Sequence, residues 1–363
     1  MLVYQNILVR MPNWLGDCVM ATPLLADLRA RWPKAKITAM CQGATGDLLK
    51  EDPHLDEIFK FKRPSGWIHR CEHGDIVAPL KQGEYDLGIL LPLSFSSAWW
   101  FWRGGVKRRL GYAAHLRSWL LTDPVPLPEK LEQQHLVTTY KMLLSKLEIP
   151  LSDRPPRLYL SQEEAAAAKK RLAGELLSGW NPDQGNLLIG INPGAAYGSA
   201  KCWPVERFTA LSQKLMENPA IKLVFFGDPA GEPLVHTICK SLPLDRAINL
   251  AGKTTLRELM ALIQACSLFL TNDSGPMHIA SALQVPLIAL FGSTNPTATG
   301  PYGGGVVLYK QAACSPCYRR ECPIDFRCMT AIGVEEVYAA IQNMLKNGSS
   351  AQASSSRSPR LSP

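Results

Sequence analysis

Residues 267–292 read SLFLTNDSGPMHIASALQVPLIALFG. The run SLFLTND (267–273) has the length and apolar content of a buried strand. PMHIASAL (276–283) reads as a helix, and VPLIALFG (285–292) as the next strand. Strand, helix and strand in this order form a parallel sheet with a right-handed crossover. Such sheets bind ligands outside the carboxyl ends of their strands, which is where TNDSG falls. Gly275 lets backbone approach a ligand closely. A helix start there offers N–H groups and the positive end of the helix dipole to a phosphate. Asp273 and Ser274 suit sugar or phosphate groups, and His278 lies on the first helical turn. Taken alone, this group reads equally as a capped helix start with a structural histidine.

Its neighbours decide the matter. Working back, LRELMALIQAC (256–266) is a helix with Thr255 as cap. IKLVFFG (221–227) and NLLIGINPG (186–194) are strands ending in glycine, and VERFTALSQKLME (205–217) is a helix led by Pro204. The second half is therefore a doubly wound domain. Its strand ends NPGAAYGSAK, FGDPAGE, TNDSG and FGSTNP carry the Gly, Ser, Thr and Asp that a phosphate and sugar pocket requires. In NPGAAYGSAKCWP (192–204), Lys201 would act as a point charge on a diphosphate. The spacing is neither a P-loop nor a GxGxxG fingerprint, and by itself a solvated turn lysine is the simpler reading.

The first half repeats the grammar. NILVR (6–10) is a strand, MPNWLGD (11–17) a turn, CVMATPLLADLRARW (18–32) a helix with Pro23 near its start, and KITAM (36–40) a strand. YDLGILLP (85–92) is another buried strand. Asp17 should then lie at the carboxyl end of the first sheet, where a carboxylate can take a proton from an acceptor hydroxyl. The alternative is an aspartate that only complements the helix dipole. Proline-rich DPVPLP (123–128) and IPLSDRPPR (150–157) bracket the junction, and QEEAAAAKKRLAGELL (162–177) is helical by propensity. We place the domains at 1–155 and 156–345. A low-complexity tail, 347–363, is expected to be disordered.

Bulk properties exclude several classes. At 363 residues the chain suits two domains. No apolar run reaches membrane-spanning length, and no secretory signal pattern opens the chain, so the expected location is cytoplasmic. A net charge of +8 favours anionic partners without choosing among them. CSPCYRRECPIDFRC (314–328) places Cys314, Cys317, Cys322 and Cys328 at a spacing able to hold structural zinc or an Fe–S cluster; four reduced thiols are the equal alternative. WWFWRGGVKRRLGY (99–112) joins aromatics to Arg103, Lys107, Arg108 and Arg109. This suits a membrane interface or a phosphorylated glycolipid, although buried aromatics followed by a solvated turn fit as well.

NWLGD, the PGA…G.AK.WP loop, FG at 226–227, NLAGKT (249–254) and TNDSG.MH.A.AL together resemble the ADP-heptose:lipopolysaccharide heptosyltransferases, glycosyltransferase family 9, most closely the heptosyltransferase II branch. The set runs in order from about residue 6 to 345. The resemblance implies an α/β GT-B fold, two Rossmann-like doubly wound domains facing across a cleft. The N-terminal domain would bind the acceptor and the C-terminal domain the ADP-sugar. It also implies an inverting transfer of heptose from ADP-L-glycero-β-D-manno-heptose to heptosyl-Kdo2-lipid A, without a required metal. By that likeness Asp17 is the catalytic base. Lys201, Glu232, Asp273, Ser274, Gly275 and His278 bind the donor, while Arg103, Lys107, Arg108 and Arg109 hold the acceptor near the cytoplasmic face of the inner membrane. Cys202 stands where heptosyltransferase II more often has arginine. The competing readings are heptosyltransferase I or III and a nucleotide-binding metal or redox protein using the cysteine quartet. A nucleic-acid-binding module ranks last, and no nucleic-acid partner is expected.

Overall fold

The computed structural model describes residues 3–62, 74–176, 180–181 and 184–355. The chain folds as two units. The first comprises Met1–Ser161 with Thr297–Gly303, and the second Gln162–Pro296 with Gly304–Pro363.

The first unit is built on six strands: β1 (Asn6–Arg10), β2 (Lys36–Gln42), β3 (Glu57–Phe61), β4 (Leu87–Leu90), β5 (Arg108–Tyr112) and β6 (Asp123–Val125). They lie in the order β3-β2-β1-β4-β5-β6, every pairing parallel. The second unit holds β7 (Leu187–Asn192), β8 (Ile221–Phe225), β9 (Ala247–Asn249), β10 (Leu268–Asn272), β11 (Leu287–Phe291) and β12 (Val306–Tyr309). Their order, β12-β11-β10-β7-β8-β9, is again wholly parallel. Read outward from β1 or β7, each sheet has the Rossmann order 3-2-1-4-5-6. The central strands of the second sheet, LIALF and IKLVF among them, are buried throughout, as helices on both faces demand. Gly190 in β7 is required by packing: a Cβ there would come within 2.7 Å of the Phe269 ring.

Three expectations need correction. The single helix predicted over 18–32 is two, α1 (Leu15–Met20) and α2 (Thr22–Arg31), with Pro23 in the first turn of the second. Proline lacks the N–H that a continuous helix would need there and is tolerated only at a start, so the chain restarts. The junction also moves from 155 to 161. Residues 152–157 are bound along α2 rather than free: Ser152 Oγ donates to Asp27 Oδ2 (2.8 Å), Arg154 to the Ala26 carbonyl (3.1 Å), and the Arg157 amide to Thr22 Oγ1 (3.1 Å). Finally, the backbone of the helix Val334–Ser355 reaches into the tail expected to be disordered, of which residues 356–363 lie outside the described residues. Once the turn anchored by buried Val337 and Ile341 is formed, each added residue needs only one more hydrogen bond.

The return segment Thr297–Gly303 joins the first unit through particular contacts. His135 Nε2 lies 2.9 Å from the Gly300 carbonyl, and its ring meets Tyr302 edge-on at 4.8 Å. No described helix is long and apolar enough to cross a membrane.

Candidate functional site

In the second sheet the strand order reverses between β7 and β10. The loops leaving these two adjacent strands splay apart and leave a crevice at their carboxyl ends. Those loops are 193–204 and 273–275, the two that carry Lys201 and Asp273. Lys201 Nζ lies 2.5 Å from Asp273 Oδ2, and the two side chains are 14% and 6% exposed. Thr294 Oγ1, from the loop after β11, donates to the same carboxylate oxygen at 2.6 Å. Three strand ends thus converge on one ion pair.

Asparagines at the ends of β7 and β10 fix the geometry. Asn192 Nδ2 donates to the Gly194 carbonyl (2.9 Å) and to Ser274 Oγ (3.2 Å). Asn272 Nδ2 donates to the Pro193 carbonyl (2.7 Å), while its Oδ1 accepts the Trp203 amide (3.1 Å). Trp203 is buried and its indole N–H donates to the Ile332 carbonyl at 3.0 Å. Burial makes each of these bonds costly to leave unmade, so the two loops are held as one body. Sequence reading passed over Asn192, Asn272 and Thr294. The NP and TND strand endings were the available signal, since a short amide at a strand end commonly bonds neighbouring backbone.

Ser274 precedes the helix Gly275–Ala282 in extended conformation, and its side chain makes no capping bond. Its hydroxyl pairs instead with Thr271 Oγ1 at 2.9 Å. The helix start is therefore uncapped by protein, with Ser274 and Gly275 partly exposed, the arrangement that receives an anion. His278, on the first turn of the same helix, is buried. Glu232 opens the helix Glu232–Cys239 beyond β8, where Asn249 Nδ2 donates to its Oε1 at 3.2 Å. It lies on the same carboxyl edge, one strand outward from β7.

The cysteine segment backs this site. Ala200 N donates to the Arg320 carbonyl (3.0 Å), and Tyr197 Oη to the Tyr318 carbonyl (2.7 Å). The Cys317 and Tyr318 amides both donate to the Ser293 carbonyl, at 3.0 and 2.8 Å. Lys201 Nζ and the Arg320 guanidinium stand 4.9 and 5.4 Å from the Tyr197 ring centre. Gly198 closes against the segment so tightly that a Cβ would fall 2.2 Å from the Arg320 carbonyl oxygen. The thiols are free, and burial raises that of Cys328 above its ordinary pKa. Among the described residues no three His, Cys, Asp or Glu side chains are grouped so as to hold a metal ion.

In the first unit the order reverses between β1 and β4, and Asp17 occupies the first turn of α1 just beyond β1, half-buried. Behind it, buried Arg10 donates to the Met11 carbonyl and to Asn13 Oδ1, bracing the turn that leads to Asp17. Tyr140 is pushed well above the ordinary phenol pKa, first by burial and then by the Asp17 and Cys18 charges.

The predicted acceptor residues are placed differently. Lys107, Arg108 and Arg109 stand at the amino end of β5, about 16 Å of strand from the ligand edge. Lys107 pairs with Asp86 at 2.9 Å. Arg108 forms a forked pair with Asp123 (3.0 and 2.7 Å), which drives its pKa further up. Arg109 donates to the Leu120 and Val106 carbonyls (2.7 and 2.6 Å), and burial lowers its pKa. Each of the three therefore has a partner within the first unit. Arg103 is exposed at the end of the helix Phe95–Arg103.

Two parallel Rossmann-type units, one with a basic, uncapped helix start at its switch point, define the class of nucleotide-sugar transferases with the GT-B fold. Residues 75–326 match the model of glycosyltransferase family 9 (heptosyltransferase), and the chain belongs to that family. It is 31% identical to lipopolysaccharide heptosyltransferase 2 of Escherichia coli K12, over 82% of this chain and 85% of the relative. To lipooligosaccharide heptosyltransferase 2 of Haemophilus influenzae it is 33% identical, over 82% and 86%. The solved structure of E. coli ADP-heptose LPS heptosyltransferase II is similar with a TM-score of 0.79 and 28% identity, covering 94% of this chain and 99% of that one.

Proposed function

We propose that this enzyme transfers heptose from ADP-L-glycero-β-D-manno-heptose to the heptosyl-Kdo2-lipid A inner core of lipopolysaccharide, with inversion at the anomeric carbon. The observation that carries the reading is the Lys201–Asp273 pair beside the uncapped Ser274–Gly275 helix start. A cation beside the partly exposed Ser274–Gly275 helix start at one switch point suits a leaving diphosphate. Lys201 takes the developing charge on ADP, Ser274 and Gly275 meet the phosphate oxygens, and Glu232 meets the ribose. Asp273 acts one step back, orienting the lysine. Buried His278 supports the helix start from behind.

The acceptor hydroxyl attacks the anomeric carbon as its proton passes to the Asp17 carboxylate. The bond from that carbon to the phosphate oxygen breaks, and the electron pair leaves with ADP. The transition state has oxocarbenium character. We assign the cysteine quartet no part in the reaction; its segment holds the lysine loop in place. An enzyme whose acceptor is lipid-borne works as a peripheral protein at the cytoplasmic face of the inner membrane.

The test is a donor panel of ADP-, UDP- and GDP-sugars with defined Kdo2-lipid A and heptosyl-Kdo2-lipid A acceptors, read by product mass. The expected product is the heptosylated form of the heptosyl acceptor, from ADP-heptose alone. Transfer to Kdo2-lipid A instead would move the assignment to heptosyltransferase I.

A further inference from the structure

The helix Phe95–Arg103 and the crossover after β5 meet in a surface cluster of aromatic rings. Phe95 stacks on Trp99 (6.2 Å between ring centres), and Trp99 lies 5.0 Å from Trp102. Trp119, remote in sequence from the helix, approaches both Trp102 (6.3 Å) and Phe95 (6.2 Å). Trp102 is 42% exposed, Trp119 65%, and Leu116 beside them 88%. So much contiguous apolar surface on a water-facing flank marks a docking surface.

We propose that this patch seats the first unit on an anionic lipid bilayer, with the indoles of Trp102 and Trp119 entering the headgroup region. The inference deepens the transferase reading, in which the acceptor is anchored in a membrane, and it rests on three features. Indoles combine an apolar body with an N–H and concentrate at membrane–water interfaces for that reason. The segments that build the patch, 95–103 and 116–119, carry no Asp or Glu, and Arg103 is their one exposed basic residue. Exposed Arg103 adjoins Trp102, so the rim is complementary to anionic lipid and repels a second copy of itself.

The third feature is position. The patch begins at the ligand edge of the first sheet. Phe95 starts the helix just beyond β4, and buried Arg117 donates to the Tyr112 and Ser94 carbonyls (3.0 and 3.3 Å), tying the Leu116 turn to that edge. Asp17 opens onto the same edge. A bilayer at this patch would therefore meet the unit that carries the proposed base. A carbohydrate platform fits less well, because these rings face one another at interplanar angles of 47–66° along the outer run instead of offering one flat face.

The full-length protein is mixed with phosphatidylcholine vesicles, with and without phosphatidylglycerol, in the absence of donor and acceptor. Binding is read by co-sedimentation and by tryptophan emission. Wild type should bind the phosphatidylglycerol vesicles with a blue shift. Trp102→Ser/Trp119→Ser and, separately, Leu116→Ser should lower the partition coefficient, the double variant about tenfold or more, with unchanged thermal melts. Trp119 and Leu116 are already largely in water and Trp102 close to half, and the melts check that folding is spared. Wild-type vesicle binding by the double variant overturns the proposal. So does a fall from dimer to monomer in sedimentation, which assigns the patch to a second copy. A raised KM for a delipidated acceptor sugar also overturns it, assigning the patch to carbohydrate. Because no sugar substrate is present in the vesicle experiment, its failure leaves the transferase assignment standing, and failure of the donor panel leaves the vesicle result standing.

Discussion

At the scale of single residues, Lys201 and Asp273 show how burial changes a reading. By spacing, Lys201 was a solvated turn lysine. In the fold it is 14% exposed and bound to a carboxylate 72 positions away in sequence. Removing one partner of a buried pair leaves an uncompensated charge, typically costing roughly 3–5 kcal/mol; here the Thr294 hydroxyl on Asp273 offsets part of it. Lys201→Ala should therefore lower the melting temperature and raise the donor KM at least tenfold while moving the acceptor KM little. Steady-state kinetics with each substrate varied, beside a thermal melt, checks this. Asp17→Asn should lower kcat by about 10²–10⁴, the usual worth of a general base, with ADP affinity by calorimetry within a factor of two. Equal loss of binding and turnover would instead make Asp17 structural. Asp17 was legible because its place after the first strand is a local property of the sequence. The bracing contacts of Arg10 were not, since they form only when the 11–13 turn folds back over β1.

At the scale of elements, two attachments matter. The cysteine segment is bonded to the lysine loop and pressed on Gly198. Gly198→Ala would put a methyl 2.2 Å from the Arg320 carbonyl oxygen. Overpacking of this kind costs about 1–3 kcal/mol. The expected outcome is a lower melting temperature together with weaker ADP binding, measured by calorimetry. Gly194→Ala, with open space around its Cβ, is the control and should leave stability nearly unchanged. The second attachment is the Arg108–Asp123 fork joining β5 to β6. The Arg108 guanidinium, ahead of burial and the Thr122 hydroxyl, sets the direction, and the Asp123 carboxyl titrates below its ordinary range. A lowered folded pKa means that the unfolded chain binds the proton more readily. The stabilisation is therefore complete above the unfolded value of about 3.9 and is lost as pH falls through the folded one. Asp123→Asn should destabilise at pH 7, and its difference from wild type should shrink as pH falls below the unfolded value of about 3.9 in urea melts. The fork was not legible in the sequence, because a basic run carries no mark of which members already have partners.

At the scale of the whole molecule, both sheets share one strand order, and Asp17, Lys201 and Ser274 stand at their switch points. Ligand binding to the second unit should raise global stability. ADP at a hundred times its Kd should add about 2.7 kcal/mol, seen as an upward shift of the melt, and Lys201→Ala should lose most of that shift. The sequence by itself determined the α/β class, the paired doubly wound halves and the glycine-bearing strand ends, because strand and helix periods and turn residues act between near neighbours. It also carried the family resemblance, since the motifs keep their order along the chain. Only the tertiary structure decided which loops meet. Lys201 reaches Asp273 because β7 and β10 are adjacent, Trp119 joins Phe95 and Trp102 because a crossover returns beside the helix, and Arg108 pairs with Asp123 because β5 pairs with β6. Strand adjacency is set by the burial of whole faces across long sequence separations. No local window of residues encodes it.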